Sequence, residues 1–262
     1  MHFRSTKDFV KQTLKSIAMK KIFLLFSTFL LISSVAVQAQ KEKDKEKEWK
    51  DKPRIEGSGN IITKDVNIQS FDELITKGVF SVLLKQGNKE EVKIEADDNL
   101  QELFEVKNEG SKLVISMKKD VNFNSKKGMK VYITFRKLKN MELNMVGSLS
   151  SDDNLSFDDL SIKNKSVGSL DLKMTAQSVN VDNSSVGNVK LDGKAENAVI
   201  KNNGVGSIKA GSFVVQKMDI ENTGVGGAEV NAEKELKVKD SFLGKVTNKG
   251  NATVRRMNKV TI

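Results

Sequence analysis

The sequence predicts an all-β fold, a parallel β-helix (β-solenoid) with coils of about 18–21 residues, preceded by a β-rich N-terminal region. Three observations carry that reading. A short phrase recurs, as in Val181-Asp182-Asn183-Ser184-Ser185-Val186-Gly187, Asn202-Asn203-Gly204-Val205-Gly206 and Asn222-Thr223-Gly224-Val225-Gly226. Its glycines fall at Gly147, Gly168, Gly187, Gly206, Gly226 and Gly244, in steps of 21, 19, 19, 20 and 18 residues. Between them apolar and polar residues alternate, as at Val179, Val181, Val189 and Leu191, a period of two that lines one face of a strand.

One such unit cannot bury its apolar face alone. Units stacked ~4.8 Å apart can, because each strand pairs with its equivalent in the next coil. The apolar positions are mostly Val, Ile and Leu, which suit a pleated surface. Asn164, Asn183, Asn202 and Asn222 each precede their glycine by four residues, so stacking would set them in one column as an amide ladder, ending at Asp240. The glycines mark a bend that needs positive φ or close backbone approach. Both sets are read as structural rather than as a ligand site repeated in every coil. A leucine-rich repeat fits less well, since only one residue separates Val181 from Asn183 and no LxxL arm is present. The calcium-binding nonapeptide pattern is absent. A meander of antiparallel hairpins is the competing topology, with Asn-x-x-Val-Gly turning the chain back.

The chain begins with a targeting segment, residues 1–39. Lys20-Lys21 precede an apolar run from Ile22 to Val37 that ends at Val37-Gln38-Ala39, the pattern of a secretory signal cut after Ala39. Met19 stands directly before the lysines, so residues 1–18 read as a start-site extension. The run is short for a membrane span of ~20 residues, so no stable span is expected after cleavage; a retained anchor is the alternative. Six basic residues and one acidic residue lie in 1–39, which leaves 38 basic and 33 acidic residues, a net charge of +5, in the rest. That mixed-sign balance argues against nucleic-acid binding.

There are no cysteines, and the single histidine is His2 in the leader. The exported chain therefore lacks disulfides, thiolate chemistry, a lipid-acceptor cysteine and the side chains most used for general-base work or transition-metal binding. No cofactor is expected. Residues 40–56 alternate in charge and read as a solvated linker carrying Trp49. In the N-terminal region, 57–140, strands are expected at Ile61 to Ile68, Gly78 to Gln86, Glu91 to Ala96, Lys112 to Met117 and Lys130 to Phe135. Turns are expected at Gly87-Asn88 and Glu109-Gly110, and a helical turn capped by Asp98. This region is expected to cover the first coil of the repeat solenoid, residues 141–255.

Within it, Phe71-Asp72-Glu73-Leu74, then Gly78-Val79-Phe80-Ser81-Val82-Leu83-Leu84-Lys85-Gln86-Gly87, then Val92-Lys93-Ile94-Glu95-Ala96-Asp97-Asp98-Asn99-Leu100 resemble the head GIN domain family of exported proteins, found largely in Bacteroidetes. The resemblance covers about residues 57–255 and implies right-handed β-helix coils at the cell envelope or outside it. It supplies no catalytic residues. The chain departs from relatives in using Val-Gly-Ser or Val-Gly-Asn where Ser-Gly-Ser-Gly is common, which bears on the packing of the bend.

The strongest local constellation is Asp152 and Asp153 with Asp158 and Asp159, carboxylates that could hold calcium or act as acid and base in polysaccharide cleavage, against a bland reading as a solvated turn. Phe123, in a polar loop, is a contact point for a partner or tucks under its own loop. Tyr132 is the only tyrosine, and the scarcity of aromatic platforms weakens a dedicated glycan site. No Walker loop, HExxH or GxSxG turn is present. The function expected is binding, as an adhesin-like or scaffold module facing an envelope or extracellular polymer or protein. A carbohydrate-active β-helix enzyme is the alternative, and docking of an envelope component the third reading. The sequence leaves the oligomeric state open.

Overall fold

A computed structural model describes residues 53–257. The expected leader, Trp49 and most of the expected linker lie outside them. Alternation of apolar and polar residues builds what it predicts: along Val179-Asn180-Val181-Asp182-Asn183 every second side chain is buried. The strands are β1 (Arg54–Glu56), β2 (Ile61–Val66), β3 (Glu73–Val79), β4 (Ser81–Gln86), β5 (Glu91–Asp97), β6 (Phe104–Glu109), β7 (Lys112–Met117), β8 (Asn122–Asn124) and β9 (Lys130–Phe135). They continue as β10 (Asn140–Val146), β11 (Leu149–Ser151), β12 (Leu155–Asn164), β13 (Leu170–Asn183), β14 (Val189–Asn202), β15 (Ile208–Asn222), β16 (Ala228–Asp240), β17 (Val246–Asn248) and β18 (Val254–Arg256).

From β10 onward every pairing is parallel, which excludes the hairpin meander. β13 pairs β14 from Leu170↔Val189 to Asn183↔Asn202 in a constant 19-residue register, skipping only Gln177 and Glu196 where the strands turn a corner. The 20-residue step has a local cause. Lys190 pairs Lys209 but Asp192 pairs Ser212, so one extra residue bulges out of β15 at Ala210-Gly211. Isolated bridges join Val146, Val167, Val186, Val205 and Val225 across the second corner. One continuous core runs through the stack from Phe71 to Ala252. Burying each Val, Leu or Ile of that core contributes roughly 1.5–3 kcal/mol.

The N-terminal strands extend the same continuous sheet, which runs β2-β5-β9-β4-β11-β13-β12-β10-β3-β7-β6 and branches from β13 through β14 and β15 to β16. β3 and β4 form a coil on which the first repeat coil stacks, and β7 and β9 form the coil on their other side. Antiparallel strands then close the stack, β6 on β7 and β5 followed by β2 on β9. β1 and β8 make a separate two-stranded sheet.

Several expectations change. The single strand Gly78 to Gln86 breaks at Phe80 into β3 and β4, since the coil must turn a corner there. The strand expected to reach Ile68 ends at Val66, and β1, β6 and β8 were not foreseen. The helical turn is a 3₁₀ segment, Asp98–Leu103, preceded by Asp97 with no side-chain cap. Asp98 accepts instead from Ser58 Oγ (2.6 Å) and Asn60 Nδ2 (2.9 Å), tying the N-terminal segment down. No helix among the described residues is long and apolar enough to cross a membrane.

Candidate functional site

The asparagines form the internal spine of the repeat. Asn164 Nδ2 donates to Asn183 Oδ1 at 2.8 Å, Asn183 to Asn202 at 2.7 Å, and Asn202 to Asn222 at 2.6 Å. All four are buried. Their oxygens also accept from the turn that follows, from Ser166 N, Ser185 Oγ and Gly204 N. At the end of the column Asn222 Nδ2 turns to the carbonyls of Gly244 (2.7 Å) and Gly226 (3.0 Å). Asp240, which pairs with Asn222 in register, accepts from Val246 N and from Arg256. This column faces the core, so it offers nothing to a ligand.

Gly147, Gly168, Gly187, Gly206 and Gly226 have φ between 129° and 147°. An added Cβ on Gly187 would lie 2.1 Å from the carbonyl oxygen of Gly168 one coil away. Gly244 aligns with them but lacks the positive φ, and its added Cβ would meet Asn222 O at 2.4 Å.

The acidic residues are placed apart from this spine. Asp152 and Asp153 stand exposed in the turn between β11 and β12, and Asp158 and Asp159 are exposed on β12, at the corner the strand turns. Among the described residues no three acidic or histidine side chains converge on a point that could hold a metal ion. Phe123 on β8 is half-buried and packs against the core. Together with Val79, Phe80, Met129 and Val146 it lines an open groove of about 380 Å³. Tyr132 donates to Glu95 Oε2 at 3.0 Å, and burial is the first cause of its raised pKa.

Two other depressions mix polar and apolar lining. One, of about 620 Å³, is floored by Phe71 and edged by Asp72 and Arg136. Arg136 is held there by Glu90 (2.8 Å) and Ser70 Oγ (2.9 Å). The Lys139 ammonium, 2.8 Å from Asp72, holds that carboxyl below its ordinary range, with Ser111 adding to the effect. The other, of about 710 Å³, follows the first corner and presents Asn154, Thr175, Gln177, Lys194, Glu196 and Gln216 over small Ala176 and Ala195. These are surfaces that hydrogen-bond.

Sequence reasoning missed one exposed feature. Val79, Val146, Val167, Val186, Val205 and Val225 stack in register along the second corner, each 45–53% exposed. The signal was present in the parity of the strand. With Asn183 facing in, Ser184 faces out, Ser185 in and Val186 out.

Comparison with known proteins follows this geometry. The family model described as "Putative auto-transporter adhesin, head GIN domain" matches residues 70–252. A solved structure described as a "putative adhesin" from Bacteroides fragilis is 28% identical, with a TM-score of 0.68, covering 78% of this chain and 100% of that one. A "putative adhesin" from Parabacteroides distasonis is 20% identical, with a TM-score of 0.62, covering 78% of this chain and 96% of that one. A "Putative lipid binding protein" from the same species is 16% identical, with a TM-score of 0.55, covering 79% and 100%; these last two likenesses speak for the fold alone. No curated protein sequence matches the chain. A β-solenoid whose repeat is built on inward asparagines and corner glycines, matched by that model over most of its length, belongs to the head GIN domain family.

Proposed function

We propose that this chain is an exported module of the cell envelope or cell surface that acts by binding an extended polymer or protein, as an adhesin-like or scaffold element, without catalysis. The observation that carries the reading is the depression along the first corner, where polar side chains stand over small apolar ones. Asn154, Thr175, Gln177 and Gln216 there offer amide and hydroxyl groups, and the coil between Gln177 and Gln216 adds Lys194 and Glu196. Such a row suits a ligand that also repeats, and solenoids bind through extended faces of this kind. The amides donate and accept hydrogen bonds, and Lys194 and Glu196 add one charge of each sign to the same row. The kinship with proteins described as adhesins supports the same class of function.

The test is binding of residues 40–262 to an array of envelope polysaccharides and host matrix proteins. Saturable binding that weakens when Gln177 and Gln216 are changed to Ala is the expected result. Binding to nothing would overturn this reading, and polysaccharide cleavage that disappears when Asp152, Asp153, Asp158 and Asp159 become Ala would replace it with the enzymatic one. Surface proteolysis of intact cells, followed by fractionation, locates the compartment.

A further inference from the structure

In the N-terminal region four connections close round the depression floored by Phe71. They are the approach to β3 at Ser70 and Asp72, the turn from β4 to β5 at Gly87 to Glu90, the turn from β6 to β7 at Ser111, and the segment from β9 to β10 at Arg136 and Lys137. Backbone bonds stitch them together. Asp72 N donates to Ser111 O at 3.0 Å, Lys139 N to Asp72 O at 2.8 Å and Gly87 N to Phe135 O at 3.0 Å. Loops fixed in this way on a rigid sheet are where binding groups are carried. The volume, about 620 Å³, lies in the range of small-molecule sites.

Arg136 is aimed by its neighbours. A guanidinium carries five N–H donors in a planar fork. Here Nε donates to Glu90 Oε1 and Nη2 to Ser70 Oγ, which occupies one edge of the plane. Nη1 has no partner among the described residues, so the end of the fork, Nη1 with the second Nη2 hydrogen, is open. The Glu90 side chain is only 13% exposed, so it holds the guanidinium in place. Charge in the depression does not cancel. Glu90 is answered by Arg136 and Asp72 by Lys139. Lys137 takes part in no ion pair among the described residues, which leaves one positive charge over.

We propose that this depression binds a carboxylate carried on a small hydroxylated body, the chemistry of a hexuronic acid. The carboxylate takes the open end of the Arg136 fork through two parallel N–H···O bonds, and Lys137 supplies a second positive charge. Hydroxyls of the body donate to Asp72 and Glu90, since a carboxylate accepts several hydrogen bonds. The Asn88 amide, which has no side-chain partner among the described residues, both donates and accepts. Because Glu90 and Ser70 fix the guanidinium before a ligand arrives, little ordering is left to pay on binding. A neutral sugar leaves the fork empty, and a bare carboxylate leaves the rest of the cavity to water. The site shares no residue with the depression along the first corner and does not depend on the binding role proposed above.

Amide chemical shifts of the isotope-labelled exported protein, titrated with sodium glucuronate at neutral pH and low salt, test this. Residues 70–72, 87–90 and 136–137 should shift together with a Kd of about 0.1–5 mM. Glucose has the body without the carboxylate, and acetate the carboxylate without the body. Each should bind roughly tenfold more weakly. Arg136→Lys keeps a cation for Glu90 but loses the fork, so Tm should hold while affinity for glucuronate drops about tenfold. Lys137→Gln breaks no contact within the chain and should give a smaller loss that shrinks further in about 0.5 M salt. No shift at about 20 mM glucuronate, glucose or acetate binding as tightly, shifts confined to other residues, or an unaffected Arg136→Lys variant would each overturn the proposal. Gln177 and Gln216 report separately on the first-corner depression.

Discussion

The repeat coils and the N-terminal region solve the same corner in opposite ways. In the repeats the residue after each corner valine is glycine, and the backbone of the neighbouring coil lies where its side chain would go. In the N-terminal coil that position belongs to Phe80, whose side chain is buried and tilts against Phe104 at 5.5 Å. The coil beneath it passes through residues 118–129, which hold only the short strand β8 and no glycine rung of this kind. A stack of identical coils thus demands the smallest residue at every interior rung. At its last rung it needs a large one to fill the end.

Reversing the substitution in each region breaks both most severely. Gly187→Ala places a Cβ against Gly168 O in a backbone conformation that alanine disfavours, and should cost on the order of 3–5 kcal/mol. Phe80→Ala should lose a similar ~3–5 kcal/mol for the contrary reason, a cavity. Urea unfolding of both variants checks the pair, and a Phe80→Gly variant more stable than Phe80→Ala would refute the space argument.

The amide column sharpens the contrast at intermediate cost. Asn183→Leu strands the Asn164 amide and the Ser185 hydroxyl in the interior, and should cost about 2–3 kcal/mol. Asn164→Leu should cost less, about 1–2 kcal/mol, because it strands only the Ser166 N–H, extends the apolar position of Leu143 in the coil before it, and leaves Asn183 Oδ1 accepting from Ser185. Thermal melts of the two variants read the difference.

Acid separates the regions next. Asp97 is buried and accepts from Ser125 Oγ and Gly59 N, and the Ser125 bond, the largest cause, lowers its pKa. A lowered carboxyl adds stability above its unfolded pKa of about 4 and loses it as pH falls through the lowered folded value. Amides of residues 57–60 and 122–125 should therefore lose hydrogen-exchange protection as pH falls below the ordinary carboxylate range, while those of β13 to β15 keep theirs. Asp97→Asn should remove that pH dependence. The smallest effect is expected from Lys201→Glu, which sets like charges beside Asp182 and Glu221. Its small loss of Tm should vanish in about 1 M salt.

How far the fold was legible follows from the same contrast. Repetition exposes geometry, because a residue type that returns every coil reports a shared environment; Asn183 and Gly187 could be read that way. Phe80 occurs once, and nothing in the sequence says that it stands in the glycine column. The N-terminal order was hidden for a further reason, since β3 and β4 lie between coils made by later segments. The exposed valines were readable only by counting parity from Asn183. The depression along the first corner depends on small residues, Ala176 and Ala195, whose alignment needs the register rather than the pattern. Asp152, Asp153, Asp158 and Asp159 looked grouped because they are close in sequence, whereas a strand corner spreads them over solvent.

The amide column also has a direction. Each Asn hands its Nδ2 hydrogen towards the C-terminal coil, and Asp240 replaces the amide with a group that can only accept, answered by Arg256. A twenty-first-century engineer or a gene duplication could therefore lengthen this rod by inserting whole windings upstream of Asp240, but not by appending them after it. Growth is possible from within and barred at the tip, so the length of the rod is set by the chain itself.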